Sequence, residues 1–347
     1  MRYLITGGSG FIGSAVIRHL IKHHQNEVIN VDKLTYAGSL ESTEEVSESI
    51  LYSFVKADIC DYKKIKEIIF ETKPDIILNL AAETHVDNSI SGPGNFVTTN
   101  ILGTYNMLQV ALEYFQAEIR HVDKKLEKFR FQHISTDEVF GDLTIEDPSF
   151  TEISRYKPSS PYSASKASSD HLVNAWYKTY DLPILLTNCS NNYGPFQHPE
   201  KLIPTVITKA LNNESIPIYG KGDQIRDWLF VEDHAEALIN ISKNGMIGES
   251  YNIGGNEEKR NIDIVKIICN LMDVIKPNGR KRESKYEDLI QHVTDRPGHD
   301  YRYSINSEKI ENELQWTPRY TFDEGIEKTV HWYIDNQKWQ QEIIRRK

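Results

Sequence analysis

Tyr3-Leu4-Ile5-Thr6-Gly7-Gly8-Ser9-Gly10-Phe11-Ile12-Gly13 decides the fold. Four strand-forming residues run into a cluster of glycines, and a helical pattern continues to about His23. Gly8, Gly10 and Gly13 fit Gly-x-Gly-x-x-Gly, while Gly7, Gly10 and Gly13 fit Gly-x-x-Gly-x-x-Gly. In either register a tight turn brings a helix N-terminus close enough to receive a pyrophosphate. A second strand, Glu27 to Val31, ends at Asp32, at the distance past the glycines where an acid holds ribose hydroxyls. A carboxylate there repels a 2′-phosphate, so the pattern predicts NAD over NADP, with Lys33 pulling weakly the other way. Phe11 and Ile12, at the helix start, are expected against the same cofactor.

Working outward, Leu51 to Lys56 reads as a third strand leading to Asp58-Ile59, an expected contact for the adenine edge. Residues 61–72 carry an amphipathic helical pattern. Ile76 to Leu80 is a fourth strand, and Leu80-Ala81-Ala82 offers small residues beside which a cofactor can lie. His85 and Asp87 read as polar loop residues shaping the site rather than as a catalytic pair. Asn95 to about Glu118 is a long helix, with Thr99 expected at the cofactor. It is apolar on more than one side, which predicts one face on a sheet and another at a subunit interface or under a second lobe. Strands alternating with helices predict a doubly wound parallel sheet, an α/β architecture.

The whole composition agrees with a soluble globular chain. Of 347 residues, 26% are charged and 39% apolar, and the net charge of −10 argues against a general nucleic-acid binder. The longest basic run, Gly279-Arg280-Lys281-Arg282, reads as a solvated loop. No apolar run approaches the roughly 20 residues of a membrane span. The first strand begins too early to follow a signal peptide. Three cysteines, Cys60, Cys189 and Cys269, have no metal-like spacing. Free thiols, a cytoplasmic location and no metal are therefore expected.

The chemistry is expected between His133 and Lys166. A buried strand ends in Ile134-Ser135-Thr136-Asp137-Glu138. After a Pro-containing loop, Ser160 reads as an N-cap with Pro161 in the first helical turn. Tyr162 and Lys166 are four apart, so they share one face of that helix. An ammonium beside a phenol would lower the phenol below its ordinary value of about 10. Adjacent carboxyls at the strand end add an acid and a base. Neighbours on an extended strand point to opposite sides, so the strand must bend for both to reach one substrate.

The spaced glycines, Asp32 and Tyr162-x-x-x-Lys166 together resemble the extended short-chain dehydrogenase/reductase family. That resemblance implies a Rossmann-type sheet, with Thr136 in the place of the hydroxyl residue that binds the substrate hydroxyl. Thr136-Asp137-Glu138 is similar to the signature of the nucleotide-sugar 4,6-dehydratases, where related epimerases carry small or hydroxyl residues. Ser159 to Asp170 and Thr187-Asn188-Cys189-Ser190-Asn191-Asn192-Tyr193-Gly194-Pro195 match that group's pattern too. The resemblance implies Thr136, Asp137, Glu138, Tyr162 and Lys166 as catalytic residues. It places Asn192, with Tyr162 and Lys166, at NAD. It implies dTDP-glucose as substrate, with oxidation at C4, loss of water across C5 and C6, and reduction at C6. A homodimer is also expected, its interface formed by helices near 97–115 and 162–180. The competing readings are a 4-epimerase, a dehydratase of another nucleobase, and a non-catalytic sensor.

The domain expectation is a NAD-binding unit at 1–187, completed by about 228–250, with 188–227 and 251–347 mainly a smaller, mixed α/β substrate-binding lobe. Val231-Glu232-Asp233-His234 and its helix are expected to return to the first lobe. Arg226 can make charge-assisted bonds to phosphate. By resemblance, Thr84, Thr136, Asn191, Lys201, Leu202, Tyr219, Arg226, Asn261, Arg296 and His299 would touch the substrate. Asn88 departs from the pattern, which commonly has Arg there.

Overall fold

A run of aliphatic residues at the start of the chain is buried on both sides, and that fixes the centre of the larger sheet. The structure, a computed structural model, describes residues 1–277 and 284–346; the basic run at 279–282 lies outside them. The first half of the chain contains β1 (Arg2–Thr6), α1 (Phe11–Lys22), β2 (Glu27–Asp32), β3 (Tyr52–Lys56), α2 (Tyr62–Thr72), β4 (Ile76–Asn79), α3 (Val86–Ser91) and α4 (Pro93–Phe96). It continues through α5 (Thr104–Tyr114), α6 (Asp123–Leu126), β5 (Arg130–Thr136), α7 (Pro161–Tyr180) and β6 (Ile184–Cys189). Then come β7 (Asn191–Tyr193), α8 (Leu202–Leu211), β8 (Ile216–Tyr219), β9 (Ile225–Phe230), α9 (Val231–Asn244) and β10 (Ser250–Ile253). The last part holds β11 (Glu258–Arg260), α10 (Asn261–Ile275), β12 (Ile290–Val293), β13 (Arg302–Tyr303), α11 (Glu308–Leu314), α12 (Phe322–Asp335) and α13 (Gln337–Ile344).

The larger sheet has seven parallel strands in the order β10-β6-β5-β4-β1-β2-β3. Tyr3 and Ile5 face one core with α1 and α9, while Leu4 faces the other with α2, α5 and α7. Alternate residues of one strand thus serve two cores, which is why these strands read as continuous apolar runs. Thr6 pairs with Val31 and Asn79, and Thr136 with Cys189, so the carboxyl ends of five strands share one edge. Strand order reverses between β1 and β4, and a crevice opens outside the strand ends at such a point.

The return to this sheet extends beyond the expected boundary. α9 packs on α1, and β10 adds the last strand beside β6. A division between 250 and 251 would therefore cut β10, whose Tyr251 and Ile253 lie in the larger core. The smaller lobe is built around β9, which pairs with β11, β13 and β7, with β8 and β12 paired separately. Its core joins Trp228 and Phe230 of β9 to Val206, Ile264, Ile268 and Val330 of the surrounding helices.

The long helix expected from 95 to 118 is a rod from Pro93 to Ile119 with wider, π-type turns at Val97–Gly103 and Phe115–Ile119. Gly103 lets it lie against the loop after β3: a Cβ there would meet Ile59 Cδ1 at 2.5 Å. Among the described residues no helix is long and apolar enough to cross a membrane.

Candidate active site

A cleft of about 310 Å³ follows the strand ends across the reversal point. Gly7 has φ +69°, and a Cβ there would lie 2.8 Å from backbone atoms of Ala81. A Cβ on Gly13, common to both registers, would meet the Gly7 carbonyl at 2.3 Å, and the positive φ of Gly7 together with its place in the cleft wall selects Gly7, Gly10, Gly13. All three face the cleft with Phe11 and Ile12. Asp32 lies beyond them, its carboxylate accepting the N–H of Ser9 at 3.0 Å and of Leu34 at 2.7 Å. Burial outweighs these donors and raises its pKa above the ordinary value. Lys33 also lines the cleft, but its ammonium is 2.8 Å from the Asp58 carboxylate. That pairing takes up the cation that would otherwise tolerate a 2′-phosphate. Asp58, Ile59, Leu80, Ala81, Ala82, Thr99 and Asn192 complete this half of the wall. Asn192 is held by His234, which donates from Nδ1 at 2.8 Å.

The other half carries the residues expected to be reactive. β5 stops at Thr136, and Asp137–Val139 form a 3₁₀ turn. The Thr136 hydroxyl caps that turn, accepting the Glu138 N–H at 3.3 Å. The turn is the bend required of this strand, and Asp137 and Glu138 both line the cleft. α7 begins with a reciprocal capping box between Ser160 and Ser163. Tyr162 and Lys166 project from its first turns into the same cleft.

The electrostatics separate the two carboxyls. Burial pushes Asp137 well above the carboxylate range, and Glu138 and Asp227 add repulsion against the pull of Arg226. Asp137 Oδ2 is buried with no hydrogen-bond partner among the described residues. Burial also raises Glu138, but the nearby cations Arg296, Lys201 and Arg226 oppose it. Tyr162 departs from expectation. Burial, then Glu138, pushes the phenol well above its ordinary value, although a hydrogen bond with Thr136 lowers it. Lys166 donates to the Ile134 carbonyl at 2.8 Å instead of to the phenol, so desolvation dominates in the chain itself.

The residues expected at the substrate fall into two groups. Thr84, Thr136, Asn191 and Lys201 line the cleft, with Lys201 donating to the Thr84 carbonyl at 3.0 Å. Leu202, Tyr219, Arg226, Asn261, Arg296 and His299 lie outside its wall. Leu202 and Asn261 open α8 and α10. Arg226 is buried, donates to the Ile225, Asp300 and Tyr301 carbonyls, and lies 4.2 Å from the Tyr303 ring. Tyr219 and Arg296 both reach Asp87, at 3.1 and 3.3 Å, and His299 pairs with Asp295 at 2.6 Å. Asp87 thus joins the larger lobe to the smaller one at the rim, and His85 caps α3 by accepting the Asn88 N–H at 3.3 Å. Sequence reading passed over Tyr36, which donates to Glu200 at 3.3 Å, and Glu200, which faces the cleft. It also passed over His133 and Asp170 behind Lys166; only the spacing of four from Lys166 to Asp170 signals them.

The family described as GDP-mannose 4,6 dehydratase matches residues 4–329. A dTDP-glucose 4,6-dehydratase of Shigella flexneri is 56% identical, over 99% of this chain and 95% of that protein. A dTDP-glucose 4,6-dehydratase of Bacillus anthracis, crystallised in complex with NAD, superposes with a TM-score of 0.85 at 40% identity, over 99% of both chains. DesIV of Streptomyces venezuelae, also a dTDP-glucose 4,6-dehydratase with NAD bound, gives 0.89 at 38% identity, over 99% of this chain and 100% of that one.

Proposed function

The chain belongs to the dTDP-glucose 4,6-dehydratase family, and from that premise we propose that it converts dTDP-glucose into dTDP-4-dehydro-6-deoxy-glucose and water with tightly held NAD. The observation that carries this reading is the 3₁₀ turn that brings Asp137 and Glu138 into one cleft with Tyr162 and Lys166. An epimerase needs no second acid and base; a dehydratase does.

The chain fits the cofactor. The glycine turn leaves no room for a Cβ at Gly7 or Gly13, and Asp32 stands where ribose hydroxyls would lie. When bound, NAD supplies the oxidant for C4, the reductant for C6, and a positive ring that joins Lys166 in favouring the phenolate. Tyr162 takes the C4 hydroxyl proton, with Thr136 holding that oxygen. The C4 ketone makes the C5 hydrogen acidic, because the carbanion left behind is delocalised as an enolate. Glu138, kept ionised by three cations, removes that C5 proton. Asp137, kept protonated by burial, gives its proton to the C6 hydroxyl, which leaves as water. Glu138 then returns a proton to C5. Lys201 in the cleft wall, with Arg226 and Arg296 just outside it, would supply the positive charge that receives the diphosphate.

The protein acts as a homodimer in the cytoplasm in this reading. Val97, Leu102 and Tyr105 of the rod are 54%, 49% and 40% exposed, and the Tyr105 ring packs on Trp176 of α7, which in turn meets Tyr180. Such a patch is what a second copy would cover. Cys60 and Cys189 are free thiols, as suits a reducing compartment.

The direct test is incubation of the pure protein with dTDP-glucose and competing sugar nucleotides. A 4-keto-6-deoxy product from dTDP-glucose alone supports the assignment. Formation of a C4 epimer, or no product, contradicts it.

A further inference from the structure

Behind Lys166 lies a buried polar cluster that takes no part in the steps above. His133 on β5 and Asp170 on α7 are both fully buried. Tyr162, Lys166 and Asp170 recur every fourth residue, so all three lie on one face of α7. His133 Nε2 is 3.4 Å from the Lys166 ammonium, 3.5 Å from Asp170 Oδ1 and 3.2 Å from the Ser169 hydroxyl. On its other side, the Asn79 amide donates to His133 Nδ1 at 3.1 Å, and Asn79 Oδ1 accepts the Thr6 hydroxyl at 2.8 Å. With Nδ1 accepting, the proton of the neutral ring sits on Nε2. Burial and the Lys166 cation both push His133 down, so it is not a second cation.

Asp170 Oδ2 accepts the Ser135 hydroxyl at 2.8 Å and the Asn188 amide at 3.4 Å. Though fully buried, its carboxyl rises only to about 6, and Lys166 is the first of the groups that oppose burial. Lys166 is itself buried, and burial works against its charge. The groups facing it are Asp170 from α7, His133 from β5 and Cys189 from β6. His133 is neutral, and burial holds the Cys189 thiol neutral. Asp170 is therefore the anion left to compensate the ammonium. A buried ammonium without such compensation loses its proton.

We propose that Asp170 is the counter-ion of Lys166 and that His133 is the neutral strut between them, the two positioning Lys166 as an ammonium behind Tyr162. Neither touches substrate or cofactor; both act through Lys166. The proposal rests on the roles assigned above to Tyr162 and Lys166.

The test follows the charge on Lys166 directly. NAD-loaded protein is prepared with ¹³Cε-lysine, and the Lys166 resonance is identified by its loss in Lys166→Met. In Asp170→Asn its titration midpoint falls by about one pH unit or more, a tenfold change in proton affinity. In Asp170→Glu it stays near the parent value. His133→Asn lowers kcat about tenfold at unchanged KM, the signature of an interaction that matters only in the reaction. An unmoved Lys166 midpoint in Asp170→Asn overturns the proposal. If that variant does not fold, the coupling is read in reverse, since it is reciprocal. Lys166→Met must then raise the Asp170 midpoint, followed by ¹³Cγ-aspartate, and an unmoved midpoint overturns the proposal equally. Absence of a 4-keto-6-deoxy product from the parent protein would contradict the assigned reaction and leave these titrations readable.

Discussion

Asp137 and Glu138 are neighbours in the chain but not equivalents in the cleft. Asp137 is buried and repelled by two carboxylates, whereas Glu138 is faced by Arg296, Lys201 and Arg226. The pH dependence follows from the signs. In the proposed reaction Asp137 is the protonated acid, so its contribution would be lost as pH rises through its elevated pKa. Glu138 is there the ionised base, so its contribution would be lost as pH falls through its own raised value. Asp137→Asn should recover much of its lost rate with a C6-fluoro substrate, since fluoride leaves without a proton, and its alkaline limb should vanish. Product formation from the two substrates across pH checks both statements. Tyr162→Phe should keep NAD bound yet lose roughly 10²-fold or more in rate, the scale of general base catalysis. Near-parental turnover would remove Tyr162 from the mechanism. Residue types at these positions are legible in the sequence because they are contiguous or spaced by four. Charge states are not: burial of Tyr162 and the contacts of Lys166 with Ile134 and His133 depend on strands far away in the chain.

Two elements shape the candidate site, the glycine turn after β1 and the 3₁₀ turn after β5. Both glycine registers fit the sequence; the left-handed φ at Gly7 and its place in the cleft wall choose between them. Gly7→Ala would combine a positive φ with a collision against the Ala81 backbone. Loss of NAD from the purified protein is the expected result, with a destabilisation of about 1 kcal/mol or more from the φ strain alone. Cofactor content measured by absorbance, with a thermal melt alongside, checks it. The need for β5 to bend was legible from the alternation of side chains, but the 3₁₀ form was not. The membership of β10 in the larger sheet was also hidden. Ser250–Ile253 follows a helix that belongs to the first lobe and precedes strands that belong to the second. A short apolar strand carries no mark of which sheet it joins, and pairing with β6 decides it.

At the scale of the molecule, the sheet gathers its polar residues at one edge, where the fold holds Asp137 against its own solvation. The fold favours the protonated form of this carboxyl. The cost is therefore absent below the ordinary carboxylate range and grows as pH rises toward the elevated folded value. Asp137→Asn should accordingly be the more stable protein at pH 8, by about 1 kcal/mol or roughly 2 °C in Tm, with the difference disappearing near pH 4. Calorimetry at the two pH values checks this; equal stability at pH 8 would show that the carboxyl is not held neutral. The doubly wound sheet was readable from the order of the strands and glycines, while the bridge of Asp87 to Tyr219 and Arg296 was not, since it joins residues far apart in sequence. A cleft bridged in this way suits a redox-neutral reaction completed within one active site. The most direct test uses a mixture of unlabelled dTDP-glucose and dTDP-glucose carrying deuterium at C4. The label should move to C6 of the same sugar, with no crossover to unlabelled molecules. Label scattered between molecules, or retained at C4, would contradict it.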